Sequence, residues 1–321
     1  MRLPARTRPA DHPRNTPLTF RRDLIAQGLD DRAIARLVKR EGLVKVRVGT
    51  YAPDTVWTSC DRESRYVLRG HAVLGVTRTP VVLSHTSALA EWDVPLWGFD
   101  LSTVHTTRTD GLSGRRGRDI NQHEGRLGPG DLCVVNHAPV MTPARAVLEA
   151  ATLAGTEAAL CAANDVLHRR LATAEQLRTQ YVGMENWPGS IGIELVLRLS
   201  DARIETVGES RTFWCCFQQG LPCPVPQYEI RDEAGRVVWR LDFAWPHLGV
   251  FVEFDGLVKY EKLLRPGERT SDVVIRERDR EREICRLTGW RCIRVTWSEL
   301  ADPARLAARI RRELFPRRIA C

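Results

Sequence analysis

Two short predicted strands between residues 238 and 254 constrain the fold more than any other part of the chain. Apolar and charged residues alternate over 238–243 and again over 250–254, which is the pattern of strands with one buried face. Pro246 and Gly249 lie between them and predict a tight turn. The stretch therefore predicts a β-hairpin.

The same alternation predicts which residues of this hairpin lie opposite one another. If Asp242 pairs with Glu253, one face of the hairpin is apolar and the other is charged. The apolar face then comprises Leu241, Phe243, Val252 and Phe254, and the charged face comprises Arg240, Asp242, Glu253 and Asp255. A shift of one residue would mix acidic and apolar side chains on both faces, so the pattern itself favours this register.

The charged face of the hairpin contains three carboxylates, those of Asp242, Glu253 and Asp255. Acidic groups this close together repel one another, so either a cation lies among them or their pKa values rise. Oxygen ligands suit Mg²⁺ or Mn²⁺ better than zinc, and the hairpin therefore predicts a metal site. The alternative is a solvated sheet face on which Arg240 and Asp255 form a cross-strand ion pair.

The net charge of the chain indicates an anionic partner. The 321 residues carry a formal net charge of +8 at pH 7, and residues 1–54 hold 12 Lys and Arg against 6 Asp and Glu. Such an excess of positive charge is typical of proteins that bind nucleic acid, so DNA is the expected partner. We expect residues 1–17 to form a disordered basic arm.

Cysteine usage and hydropathy predict a cytoplasmic protein without a membrane segment. The nine cysteines include no C-x-x-C pair, so neither a disulfide framework nor a zinc ribbon is predicted. No stretch approaches 18 apolar residues, and the N-terminus lacks the apolar segment of a secretory signal. The spacing of four scattered histidines forms no metal-binding motif, so we expect ordinary structural roles for His85, His105, His123 and His137.

Residues 18–53 predict a winged helix-turn-helix. Two short helices separated by Gly28 precede the alternating stretch L-V-K-V-R-V and a turn at Gly49. The second helix would enter the major groove of DNA, with its polar side formed by Arg32, Arg36, Lys39 and Arg40. Lys45 and Arg47 on the following hairpin, the wing, would contact phosphates. The alternative is a small helical module that docks protein, with its charges solvated.

The next two regions have mixed and helical patterns. Residues 54–155 alternate short helical and strand-like stretches, which predicts an α/β middle domain. Residues 156–204 predict a helical connector, in which Thr173 and Gln176 have the spacing of a capping box.

Several short motifs between residues 18 and 155 occur in an order that resembles the AbiEi-type antitoxins of type IV toxin–antitoxin systems. They are L-T-F-R-R-D-L-I-A-Q-G, L-V-K-V-R-V-G-T-Y-A-P, L-S-H-T-S-A-L, V-P-L-W-G and M-T-P-A-R-A-V-L-E-A. The resemblance implies a DNA-binding regulator that represses its own promoter. It also implies a nucleotidyltransferase-like toxin as a possible partner, because such proteins are often encoded beside one.

Residues 205–321 predict the element order α-β-β-β-α-β-α, in which the acidic hairpin supplies the second and third strands. This order resembles the PD-(D/E)XK nuclease-like fold, in the branch near very-short-patch-repair endonucleases and a related uncharacterised family. The residues that carry the resemblance are Glu209, Asp242-Phe243, Glu253-Phe254-Asp255-Gly256, Gly289-Trp290 and Arg294.

This second resemblance implies hydrolysis of a DNA phosphodiester with Mg²⁺ or Mn²⁺ as cofactor. Asp242 and Glu253 would hold the metal, and Glu209 would complete its shell. The family motif ends E-x-K, but Asp255 occupies the position of that lysine. Either Lys259 takes the role of the missing lysine, or Asp255 is a further metal ligand.

Two functions stay open for this predicted α+β multidomain chain with its winged helix-turn-helix, α/β middle region and restriction-endonuclease-like domain. The first is a DNA-binding protein with a metal-dependent endonuclease domain, which the acidic hairpin favours. The second is a non-catalytic, antitoxin-like transcriptional repressor whose C-terminal domain binds DNA or forms a homodimer, which the missing E-x-K favours. A charged helix over 276–287 would either follow the DNA backbone or expose a solvated face.

Overall fold

The structure is a computed structural model that describes residues 7–256 and 270–316, with the side chains of the second range described from 278 onward. The chain is mixed α/β and divides into two compact units, Met1–Ser200 and Asp201–Cys321, here called the front unit and the back unit. Within the described ranges, no helix combines the length and the apolar character that crossing a membrane requires.

The front unit begins with a small sheet and two helices. The elements are β1 (Thr19–Phe20), α1 (Arg21–Ala26), α2 (Asp31–Arg40), β2 (Leu43–Arg47) and β3 (Thr50–Pro53). The strands pair antiparallel in the order β1-β3-β2. Asp30 caps α2, because its carboxylate accepts from the backbone N–H of Ala33 at 2.7 Å.

Residues 7–17 are packed against the rest of the front unit, so the prediction of a disordered arm is wrong over this range. Arg8 is only 6% exposed, and its Nη2 donates to Glu91 Oε1 at 2.7 Å. Arg14 Nη1 donates to Asp93 Oδ1 at 2.8 Å. A buried carboxylate such as Glu91 needs a counter-charge, and the segment whose composition suggested disorder supplies it.

A six-stranded mixed sheet forms the centre of the front unit, with strand order β6-β7-β5-β4-β9-β8. Its strands are β4 (Val81–Leu83), β5 (Val104–Arg108), β6 (Arg115–Arg116), β7 (Ile120–His123), β8 (Leu132–Val135) and β9 (Ala138–Met141). Helices before its strands or between them are α3 (Asp54–Ser59), α4 (Arg62–Val76) and α5 (His85–Glu91). Helices after its last strand are α6 (Pro143–Ala151), α7 (Thr156–His168), α8 (Ala174–Val182) and α9 (Ile193–Leu199).

One apolar core joins this sheet to its helices. Trp92 is fully buried in it and its indole N–H donates to the Met141 carbonyl at 2.9 Å. Side chains from α4 to α9 belong to the same core, so residues of both the predicted middle domain and the predicted connector contribute to it. The capping box between Thr173 and Gln176 is confirmed at the start of α8.

The back unit contains the predicted order α-β-β-β-α-β-α in its described residues. Its elements are α10 (Val207–Gln218), β10 (Val225–Arg231), β11 (Val237–Trp245), β12 (Val250–Asp255), α11 (Thr270–Thr288), β13 (Arg291–Thr296) and α12 (Pro303–Leu314). The sheet order is β10-β11-β12-β13, antiparallel except for the parallel pair β12–β13. Gly249 closes the hairpin turn at φ 60°, a left-handed conformation that glycine adopts without steric cost.

Candidate functional site

The predicted register of the acidic hairpin is confirmed. Phe243 pairs with Val252 across β11 and β12, which places Asp242 opposite Glu253. Both side chains lie in the interior, since Asp242 is 8% exposed and Glu253 is 9% exposed. Two acidic residues therefore lie opposite each other on adjacent strands, and both are buried.

Asp242 occupies the point where backbone pairing between the two strands stops. The ladder of paired residues ends at Phe243 and Val252, and Asp242 Oδ2 accepts from the backbone N–H of Phe254 at 2.8 Å. The carboxylate thus replaces the carbonyl that would have continued the ladder. This hydrogen bond fixes the position of the carboxylate.

Glu253 faces an arginine from α11. Arg280 Nη2 lies 3.2 Å from Glu253 Oε1, and its Nη1 lies 3.4 Å from Oε2. The same guanidinium donates to the carbonyl of Arg240 at 2.7 Å. Arg280 therefore points into the sheet, whereas Arg282 on the same helix is exposed and pairs with Asp279 at 3.2 Å.

Asp255 forms an ion pair with a different arginine. Arg294 on β13 lies 3.7 Å from Asp255 Oδ2 through Nη1, and its Nε contacts Glu281 at 2.7 Å. Arg240, which the solvated-face alternative pairs with Asp255, instead contacts Glu205 at 2.8 Å. That alternative pairing is wrong, because the parallel neighbour β13 brings a closer guanidinium to Asp255.

Glu209 is 2% exposed and forms a reciprocal cap at the start of α10. Its carboxylate accepts from the Thr206 hydroxyl at 2.8 Å, from the Glu205 backbone N–H at 3.1 Å and from Gln227 Nε2 at 3.2 Å. Gln227 lies opposite Asp242 in the β10–β11 register. Glu209 thus contacts the residue of β10 that lies opposite Asp242 in the register. Lys259 lies outside the described residues.

Three potential metal ligands within 4.8 Å of one another occur in the front unit rather than among these carboxylates. In the described part of the chain, the group that meets this distance consists of His85, His105 and His123. Strand pairing brings these three histidines together, a grouping that their sequence spacing does not predict, and their ordinary structural roles stay a prediction. His137 lies outside the group.

The basic residues predicted to contact DNA divide into two sets. Those that are exposed comprise Arg32, Arg36, Lys39 and Arg40 on α2, with Lys45 on β2. Arg40 pairs with its neighbour Glu41 at 3.0 Å. Arg47 is only partly exposed, because Asp119 accepts from its Nε and Nη2 at 2.9 and 3.0 Å. The Arg47 hydrogen bonds lower the pKa of the Asp119 carboxyl.

No family model matches the chain. It is similar to the uncharacterised proteins MT2308 and Rv2248 from two strains of Mycobacterium tuberculosis, each 28% identical over 289 residues. The similarity covers 88% of this chain and 96% of each relative. It is too long to fit within the front unit alone, so it includes residues of both units.

Proposed function

We propose that the protein binds duplex DNA, with α2 as the recognition helix and β2–β3 as the wing of a winged helix-turn-helix. The observation that carries this proposal is the charge of α2. Arg32, Arg36 and Lys39 are exposed and make no ion pair with any described residue. Cations without a local counter-charge are the groups that neutralise phosphates and release counterions. The resemblance to AbiEi-type antitoxins supports the same proposal.

For the back unit we propose hydrolysis of DNA phosphodiesters at the acidic pair. Asp242 and Glu253 lie opposite each other on β11 and β12 and are both buried, and carboxylate oxygens are ligands that Mg²⁺ and Mn²⁺ favour. A bound Mg²⁺ or Mn²⁺ ion supplies a water of lowered pKa and polarises the phosphate. Glu253 can join such a site only if Arg280 moves away from it, because the guanidinium already contacts both of its oxygens.

The roles of the other predicted catalytic groups follow from their contacts. Glu209 would act as a positioning residue that holds Gln227, which lies opposite Asp242 in the β10–β11 register. Asp255 would hold Arg294 beside the site, where a guanidinium can neutralise a phosphate oxygen. Lys259 remains the candidate for the position of the missing E-x-K lysine.

The arginines favour a second candidate function, a non-catalytic repressor of the antitoxin type. Glu253 contacts Arg280, and Asp255 contacts Arg294, so neither carboxylate requires a metal ion to offset its charge. In this function the back unit would bind DNA or form a homodimer, and a nucleotidyltransferase-like toxin would be a partner.

Incubation of the purified chain with supercoiled plasmid distinguishes the two candidates. The arms are no metal, Mg²⁺ and Mn²⁺, each with the wild type, Asp242→Asn and the control Asp279→Asn, which changes an exposed acid on α11. Metal-dependent nicking that is lost in Asp242→Asn and kept in the control supports the hydrolase. A gel shift without cleavage in every arm excludes it and supports the repressor.

A further inference from the structure

Three histidines from separate elements of the front unit lie close together. His105 lies on β5 and His123 ends β7, which runs parallel to β5. His85 follows β4, whose pairing with β5 sets Leu83 opposite Thr106. His105 Nδ1 lies 2.9 Å from His123 Nε2, and the rings of His85 and His123 stack with centroids 3.8 Å apart.

The separations suit a single ion. Ring nitrogens of all three residues lie within 4.8 Å of one another. Two imidazole nitrogens bound to one tetrahedral Zn²⁺ at about 2.0–2.1 Å are about 3.3 Å apart, so small ring rotations would bring these nitrogens to that spacing. His85 is 5% exposed and His105 is 8% exposed, so both residues lie in the interior of the front unit.

Acidic and basic residues behind His85 form the support that histidine ligands commonly have. Glu149 Oε2 accepts from the His85 backbone N–H at 3.2 Å and lies 3.5 Å from His85 Nδ1. Arg145 holds the other oxygen of Glu149 at 2.8 Å and Asp131 at 2.9 Å. His85 Nδ1 forms its hydrogen bond with Ser84 Oγ at 3.0 Å, with Glu149 beyond it, so the opposite nitrogen, Nε2, is the one that can bind the metal.

The backbone of His85 is a second sign of a constrained position. Its φ is 50°, in the left-handed region that costs a non-glycine residue free energy. Glu149 holds this conformation through the His85 N–H.

A cavity of about 1170 Å³ opens beside the group. Its walls include His85, His123, Thr107 and Glu149. Thr107 is 1% exposed, and its hydroxyl has no hydrogen-bond partner among the described residues. A polar atom buried without a partner at the wall of a cavity is accounted for by a ligand that enters it.

We propose that His85, His105 and His123 bind one zinc-class transition-metal ion, with the fourth coordination position open to this cavity. Three imidazoles and an open position are the donor set of many zinc sites that bind water or a small anion. Nitrogen donors also separate this site from the oxygen-rich Mg²⁺ site proposed for the back unit. Either site can therefore be disproved without affecting the other.

Titration of the chelator-treated, full-length chain with ZnCl₂ tests the proposal by calorimetry, beside His123→Gln and the control His137→Gln. We expect one Zn²⁺ per chain in the wild type and the control, and affinity lower by at least about 100-fold in His123→Gln, since even second-shell changes cost 10–100-fold. Circular dichroism verifies that each variant is folded.

X-ray absorption of the zinc-loaded wild type tests the same site without any substitution. We expect nitrogen or oxygen neighbours at about 2.0–2.1 Å with imidazole scattering, and no sulfur at about 2.3 Å. Sulfur ligands, an absence of binding by the folded wild type, or equal binding by folded His123→Gln would each overturn the proposal.

Discussion

Replacement of Arg36 by alanine tests whether the charge of α2 is used on DNA. Four cations on α2 and β2 are exposed and make no ion pair with a described residue: Arg32, Arg36, Lys39 and Lys45. If each neutralises one phosphate, the slope of log K against log salt is about −3.6, from about 0.9 per contact. A rise from about 50 to about 200 mM salt then lowers the affinity about 150-fold.

The alanine variant should have a measurably smaller slope. Removal of one contact changes the expected slope to about −2.7, so that the same rise in salt lowers the affinity only about 40-fold. Alanine preserves the helix, because it has the highest helix propensity. Fluorescence anisotropy with a labelled duplex at several KCl concentrations measures both slopes.

The matched control is Arg178→Ala, which removes an exposed arginine from α8 and changes the net charge equally. Its slope should equal that of the wild type. A slope in Arg36→Ala that matches the wild type, or an equal change in both variants, would refute the assignment of α2 as the DNA-contacting helix.

Two further predictions concern the packing of each unit. A Cβ on Gly208 would lie 2.0 Å from a ring carbon of Phe254, so urea unfolding should show that Gly208→Ala destabilises the protein by about 1–3 kcal/mol. The control Gly155→Ala adds a Cβ that meets no atom within 4 Å, so it should not destabilise the protein. Equal effects of the two substitutions would contradict the close packing of Gly208 against Phe254. Arg47 lowers the pKa of Asp119 below its ordinary value of 3.8, so this pair stabilises the fold above that value and the stabilisation is lost as the pH falls through the lowered pKa. The difference in the free energy of unfolding between wild type and Asp119→Asn should therefore be constant above about pH 5 and shrink below about pH 3. A difference that grows on acidification would contradict a lowered pKa for Asp119.

The acidic hairpin shows how much a local pattern can predict. Alternation over residues 238–254 is sufficient to predict both strands and their register, because only one register buries the apolar face. The pattern cannot predict the partners of the carboxylates. Arg280 and Arg294 reach Glu253 and Asp255 from α11 and β13, which come later in the chain and are placed by tertiary packing.

The histidine group, in contrast, could not be predicted from a local sequence pattern. His85, His105 and His123 have no metal-binding spacing in the sequence, and they meet because β5 pairs antiparallel with β4 and parallel with β7. Such non-sequential pairing is not encoded in any short window. No local signal in the sequence marks them, because His85 begins helix α5 while His105 and His123 lie in the polar strands β5 and β7.

The prediction of a disordered N-terminal arm is wrong for a related reason. Composition alone suggested a solvated arm, but Glu91 and Asp93 attract Arg8 and Arg14 from residues that are distant in the sequence. An excess of positive charge in a segment indicates disorder only when the rest of the chain has no buried acidic groups that pair with it.

The central claim is that the exposed cations of the front unit bind DNA, and a fourfold variant tests it most directly. Anisotropy at about 100 mM salt would compare the wild type with a chain in which Arg32, Arg36, Lys39 and Lys45 are all alanine. The account predicts that the folded variant loses more than about 100-fold in affinity for duplex DNA. Equal affinity of the two folded chains, or no binding by the wild type, would contradict it.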